Sequence, residues 1–177
     1  MSTHAMIDLE TLGTKPDCVI LTLGAIKFNP YTQTEPDKGL YIRLDVDEQT
    51  SLGRSVDNGT LEWWGKQDKA IRDEALGDEG RTSLTESTNQ LNKWLVGVDE
   101  IWAQGPAFDI VILENLYRQA GKPAPWPYYT IRDSRTLLKA LGDDREGGAN
   151  LHNALADCVS QAEAVQSAVK RYKLTEL

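Results

Sequence analysis

The chain has 177 residues, 40% hydrophobic and 26% charged, a composition that suits a globular protein with room for a real core. No apolar run approaches the ~18 residues needed to cross a bilayer, and Met1-Ser2-Thr3-His4-Ala5 lacks the basic region and apolar core of a secretory signal. Nineteen basic residues against 27 acidic ones leave a net charge of −8, which argues against a protein that coats nucleic acid through a broad basic face. It does not argue against an enzyme that holds only a strand end, because bound cations screen the few phosphates involved. Two cysteines, Cys18 and Cys158, are too few for a disulfide scaffold and suit a reducing, cytoplasmic setting as small buried side chains.

The first apolar run, Ala5 to Leu9, reads as a strand stopped by Gly13 and Pro16. Val19 to Phe28 is a second strand, and Leu40 to Leu44 a third that closes a meander after the polar loop at Asn29-Pro30. Leu61 to Leu76 carries apolar residues at helical spacing. Ser83-Leu84-Thr85-Glu86 has the form of a capping box opening a helix to about Val96, with Gly97 as its stop. Glu100 to Gln104 is a short strand, Asp109 to Ala120 a helix ended by Gly121, Tyr128 to Ile131 a fifth strand, and Ser134 to Leu141 a helix. Gly142 to Asn150 predicts a mobile loop, with Asn150 capping a last helix from Leu151 to about Tyr172. The order predicts an α/β fold: a mixed five-stranded sheet, its first three strands a meander, flanked by helices. Residues 1–177 are expected to form one domain.

Asp8-Leu9-Glu10 puts two carboxylates on one face of the first strand, with Ile7 and Leu9 on the other. At a sheet's centre such a pair is unfavourable without a cation, since like charges ~4 Å apart repel by about 4 kcal/mol at an effective dielectric of 20. On an edge strand it would be an ordinary acidic surface. Asp109, in Gly105-Pro106-Ala107-Phe108-Asp109, sits where a strand gives way to a helix, the usual place for ligand sites, and is either a ligand or a helix cap. His152 and Asp157 are five apart, about 140° on an ideal helix, so they converge only if His152 lies in or before the first turn. A histidine beside a metal carboxylate suits a general base; the plain alternative is a surface histidine. Trp63 and Trp64 point ~100° apart on a helix, which suits one in the core and one stacked on a base; the plain alternative is two core or half-buried tryptophans. His4, with no acidic neighbour in sequence, reads as incidental surface.

Asp-x-Glu on a first strand, Phe-Asp at a later strand-to-helix junction and His-x4-Asp opening a last helix together resemble the DEDD exonuclease superfamily, in the subgroup named for its histidine. The resemblance spans about residues 5–170 and is greatest to compact phage-type exonuclease A enzymes and bacterial exoribonucleases like them, some encoded by prophages. Those share a segment like Thr60-Leu61-Glu62-Trp63-Trp64-Gly65-Lys66-Gln67. One departure is Gly105-Pro106, where several relatives carry an Asn. The resemblance implies a ribonuclease H-like fold and a 3′-5′ exonuclease that releases nucleoside 5′-monophosphates from the 3′ end of single-stranded RNA or DNA. It implies two Mg²⁺ or Mn²⁺ ions on Asp8, Glu10, Asp109 and Asp157, with His152 as general base. Thr11, Leu12, Trp63, Trp64, Gln67 and Phe108 are the implied substrate contacts. Relatives often form homodimers, though no apolar stripe in this sequence demands an interface. The rival readings are a catalytically inactive nucleic-acid-binding module of the same fold, an endonuclease or transferase of the wider ribonuclease-H group, and a mononucleotide phosphatase.

Overall fold

The computed structural model describes residues 2–143 and 152–177. Its strands are β1 (His4–Thr11), β2 (Ile20–Phe28), β3 (Leu40–Leu44), β4 (Arg81–Thr82), β5 (Glu100–Ala103) and β6 (Ile131–Asp133). Its helices are α1 (Val46–Ser51), α2 (Asn58–Gly65), α3 (Lys69–Leu76), α4 (Leu84–Trp94), α5 (Asp109–Gln119), α6 (Ser134–Ala140) and α7 (Ala154–Tyr172). The strands form one mixed sheet in the order β4-β3-β2-β1-β5-β6. β1 therefore lies in the interior, antiparallel to β2 and parallel to β5, which removes the edge-strand reading of Asp8 and Glu10.

Alternation along β1 explains the layers. Ala5, Ile7 and Leu9 face one side and pack with Leu84 and Leu91 of α4 and Ile110 and Leu113 of α5. Met6 faces the other side and packs with Cys158, Ala162 and Val165 of α7. Asp8 and Glu10 continue that second face toward the end of β1. A third cluster, with Leu12, Val19, Leu21, Trp64 and Ala75, ties α2 and α3 to the start of β2. No helix among the described residues is long and apolar enough to cross a membrane.

The meander and the alternation of helices with later strands agree with expectation, with differences that have local causes. The sheet has six strands rather than five, because Arg81 and Thr82 add a two-residue strand beside β3. The last strand is Ile131–Asp133, and Tyr128–Thr130 is a 3-10 turn after Pro127. The helix expected over Leu61 to Leu76 is two. Asp57 caps α2 by accepting from Thr60 N, and α3 restarts after Asp68. The short α1, capped by Asp45, has too few apolar residues to be read from periodicity. Ser83 caps α4 by accepting from Glu86 N, while the Glu86 carboxylate accepts from Gln90 Nε2. The cap of α7 is Asn153, which accepts from Ala156 N, so the helix begins at Ala154 rather than Leu151. Asn150 and most of the loop expected over Gly142 to Asn150 lie outside the described residues.

Gly24 decides how close α7 comes. It pairs with Asp8 across the β1–β2 ladder, and a Cβ there would collide with the Ala154 carbonyl and the Leu155 nitrogen. The first turn of α7 thus rests on bare backbone beside Asp8. Replacing Gly24→Ala forces the helix away, and overpacking of this kind costs about 1–3 kcal/mol or more. Gly65→Ala is the contrast: its Cβ meets nothing within 4 Å at the end of α2 and should stabilise by up to about 1 kcal/mol. Urea unfolding of both variants checks the pair of opposite signs, and an unchanged midpoint for Gly24→Ala would count against the close approach.

Candidate active site

The carboxylates meet at the C-terminal end of β1, where the sheet opens into a cleft of about 500 Å³. Asp8, Glu10 and Asp157 each offer an oxygen, and these atoms all lie within 4.8 Å of one another. Two come from alternate positions of β1 and the third from the first turn of α7. Asp109 joins them from the start of α5. It is 5% exposed and is not the N-cap, a position that belongs to Phe108. Its Oδ1 accepts from Leu9 N at 3.1 Å, between the two acids of β1. The helix-cap reading of Asp109 is thereby replaced by a tie between α5 and the central strand.

Crowding and burial act on these groups together. Burial holds the Asp8 carboxyl well above the ordinary range, and Asp109, Glu10 and Asp157 add to the rise. Glu10 is pushed up to about 8, first by burial and then by Asp157 and Asp109. Asp109 is pushed up to about 7 by burial, opposed by the Leu9 N–H. The group as a whole resists carrying its full negative charge. A cation would relieve that repulsion, and an all-oxygen set suits a hard divalent ion rather than a Cys/His zinc site.

His152 immediately precedes the Asn153 cap, so it stands outside the regular helix and lines the same cleft as Asp157. Its φ of 51° is in the left-handed region, uncommon for a side-chain-bearing residue. Its ring meets the Trp63 ring edge-to-face at 4.7 Å. The tryptophan pair divides as helical geometry requires. Trp64 is 1% exposed and donates from Nε1 to Thr11 O at 2.9 Å, whereas Trp63 is 39% exposed on the cleft wall.

Thr11 and Phe108 also line the cleft; Thr11 is buried, with its hydroxyl donating to Gly13 O at 2.7 Å. Leu12 and Gln67 do not line it. Leu12 is a core residue packed with Val19, Leu21 and Trp64, and Gln67 folds back to donate from Nε2 to Trp63 O. His4 is buried rather than on the surface, because its Nδ1 accepts from Trp102 Nε1 at 2.8 Å across the β1–β5 pair.

Gln161 and Arg135 line the cleft as well. Gln161, one helical turn after Asp157, donates from Nε2 to Asp8 Oδ1 at 2.9 Å. Its i+4 spacing from Asp157 was the available signal in the sequence, but it points to Asp8 only once α7 is docked.

Known proteins resemble the chain in sequence and in fold. The exodeoxyribonuclease of Enterobacteria phage T4 is 24% identical over 161 residues, covering 77% of this chain and 70% of the relative. Exonuclease I matches 97% of the chain with a TM-score of 0.67 at 18% identity. E. coli exonuclease I, solved in complex with a dT13 oligonucleotide, matches 98% with a TM-score of 0.65, also at 18% identity. The chain spans 41% and 43% of the length of those two proteins, and the likeness shows the shared ribonuclease H-like fold. Residues 3–169 match the 3′-5′ exoribonuclease Rv2179c-like domain. The chain belongs to that family and is a 3′-5′ exonuclease, a hydrolase of nucleic-acid phosphodiester bonds.

Proposed function

We propose that residues 1–177 act as one exonuclease domain that shortens single-stranded nucleic acid from its 3′ end, releasing nucleoside 5′-monophosphates, with two Mg²⁺ or Mn²⁺ ions held by Asp8, Glu10, Asp109 and Asp157. The observation that carries this reading is the convergence of Asp8, Glu10 and Asp157 oxygens within 4.8 Å, on a cleft that also presents His152 and Trp63. Ions bound there would supply an acidified water and neutralise charge developing on the leaving oxygen. His152 is the general base that takes the proton of the attacking water. Its place beside Trp63 keeps the imidazole at the mouth of the cleft, ahead of the helix that bears Asp157. Trp63 is the platform for the terminal base, a contact worth about 1–3 kcal/mol. Trp64 serves from beneath, its bond to Thr11 O steadying the strand just past Glu10. The family description points to RNA and the T4 relative to DNA, so both are substrates to test.

The direct test is a time course with Mn²⁺ on matched RNA and single-stranded DNA labelled at each end, beside a chelator control. Stepwise loss from the 3′ end is expected, and activity that survives the chelator would overturn the metal assignment. His152→Ala is expected to keep Mn²⁺ binding and lose about 10²–10⁴ in rate. Asp157→Asn is expected to weaken Mn²⁺ binding itself. Calorimetric titration separates these roles, and equal loss of metal affinity in both variants would refute the division.

The raised carboxyls also set a pH dependence. Glu10 stands at about 8 against an ordinary 4.5, and Asp109 at about 7 against 3.8. The folded metal-free protein therefore keeps protons that the unfolded chain has released, and its stability falls with rising pH. This contribution is complete below the ordinary values and drains away as pH rises through those of the folded state. In a chelator, Tm should be lower near pH 8 than near pH 5, and Glu10→Gln should flatten the slope. Mn²⁺ should raise Tm more at the higher pH, where protons no longer compete for the oxygens. Thermal scans across this range check the sign, and a rise in metal-free Tm toward pH 8 would contradict it.

A further inference from the structure

Arg135 is the one Lys or Arg among the described residues that line the cleft, on a wall otherwise rich in carboxylates. It sits near the start of α6, where Asp133 Oδ1 accepts from Arg135 N at 3.0 Å and Asp133 Oδ2 from Thr136 Oγ1 at 2.6 Å. Those bonds anchor the helix start and leave the side chain to cross toward the strand-to-helix junction that carries Asp109. It crosses over Gly105. A Cβ at Gly105 would stand 3.4 Å from Arg135 Nη1 and 3.6 Å from Cζ, so the guanidinium lies flat against a bare stretch of backbone. Gly105 has a φ of +107°, a conformation that side-chain-bearing residues rarely adopt.

Among the described residues the Arg135 guanidinium makes neither a hydrogen bond nor an ion pair, although the cleft holds five carboxylates including Asp57. It acts on Asp109 only through space. An exposed planar fork of donors, fixed at its base and left without an anion, matches the two free oxygens of a phosphodiester. It stands beyond ion-pair distance from the carboxylates, over the strand-to-helix junction at Gly105 rather than among the acids.

We propose that Arg135 grips a non-scissile phosphate of the bound strand and so fixes how far the 3′ end advances toward Asp8 and Glu10. The proposal rests on the exonuclease reading above and makes Arg135 a binding and positioning residue. Its loss falls on multi-phosphate substrates and on salt dependence.

The test is fluorescence anisotropy of a labelled single-stranded oligonucleotide with the full chain in Ca²⁺, titrated with salt, for wild type, Arg135→Gln and Arg135→Lys. Arg135→Gln should weaken binding by about 10–100-fold at low salt and flatten the log–log salt slope by about one. Arg135→Lys, which keeps the charge without the fork, should retain the slope and part of the affinity. With Mn²⁺, the Arg135→Gln defect should lie in KM more than kcat. It should be much smaller on thymidine 5′-(p-nitrophenyl phosphate), whose single phosphate is the scissile one. Wild-type affinity and slope in Arg135→Gln would overturn the proposal, as would an equal defect on the single-phosphate ester. A wild-type protein that binds the oligonucleotide but never shortens it would instead overturn the exonuclease reading and leave the binding comparison standing.

Discussion

Mutual repulsion among buried carboxylates is the constraint around which this molecule is arranged. Asp8, Glu10 and Asp157 are held within reach of one another although each raises the cost of ionising the next. Charge repulsion among the acids opposes that arrangement. What enforces it is the packing on either side. Ala5, Ile7 and Leu9 bind β1 to α4 and α5, Met6 binds it to α7, and the acids have no freedom to separate. Two neutral donors moderate the strain. Leu9 N points at Asp109 and Gln161 Nε2 at Asp8, and hydrogen bonds to a carboxylate favour its charged form. The remaining imbalance is what a divalent cation would remove, and functional sites commonly break the rules that the rest of a fold obeys.

One face of one strand changes character along its length. Met6 is fully buried under Cys158, Ala162 and Val165, whereas Asp8 and Glu10, two and four residues on, border open cleft. The switch coincides with the end of α7. The helix starts at Ala154, its first turn lies on Gly24, and Gly24 faces Asp8 across the ladder. The close approach at Gly24 brings Asp157 to the acids, and the beginning of the helix leaves room for substrate beyond them. Fold and site share a boundary, so a change that shifts α7 is felt in both.

The parts of this arrangement legible in the sequence were those with a short period or a fixed order. Strand alternation put Asp8 and Glu10 on a common face, the three-strand opening predicted the meander, and the motif order identified the family. Features that depend on distant partners were not legible. His4 looked incidental because Trp102, which donates to it, lies 98 residues away. Leu12 looked like a substrate contact because it follows the first motif as a contact residue does in the relatives it resembles, yet its packing partners Val19, Leu21 and Trp64 place it in the core. Apolar spacing carried the expected helix past Lys66 to Asp68, since periodicity registers faces and not breaks. Asn150 and Asn153 are equally good caps by type, and choosing between them requires the position of the Gly24 contact.

The acidic balance bears on how such an enzyme would meet a polyanion. At a net charge of −8 the long-range field opposes approach, and this balance argues against affinity gained by displacing many counterions over a broad basic face. Under the proposed function, attraction has to be generated inside the cleft, by cations on the carboxylates, one guanidinium and one exposed indole. All three act over a few ångströms. A strand would therefore be held at its end and little elsewhere, which suits removal of terminal nucleotides and disfavours attachment along the length of a chain. Repulsion outside and attraction inside also help a product nucleotide to leave, since a group with few phosphates finds little to bind once it clears the cleft. The same carboxylates that burden the fold without metal thus confine binding, once charged with cations, to the strand end.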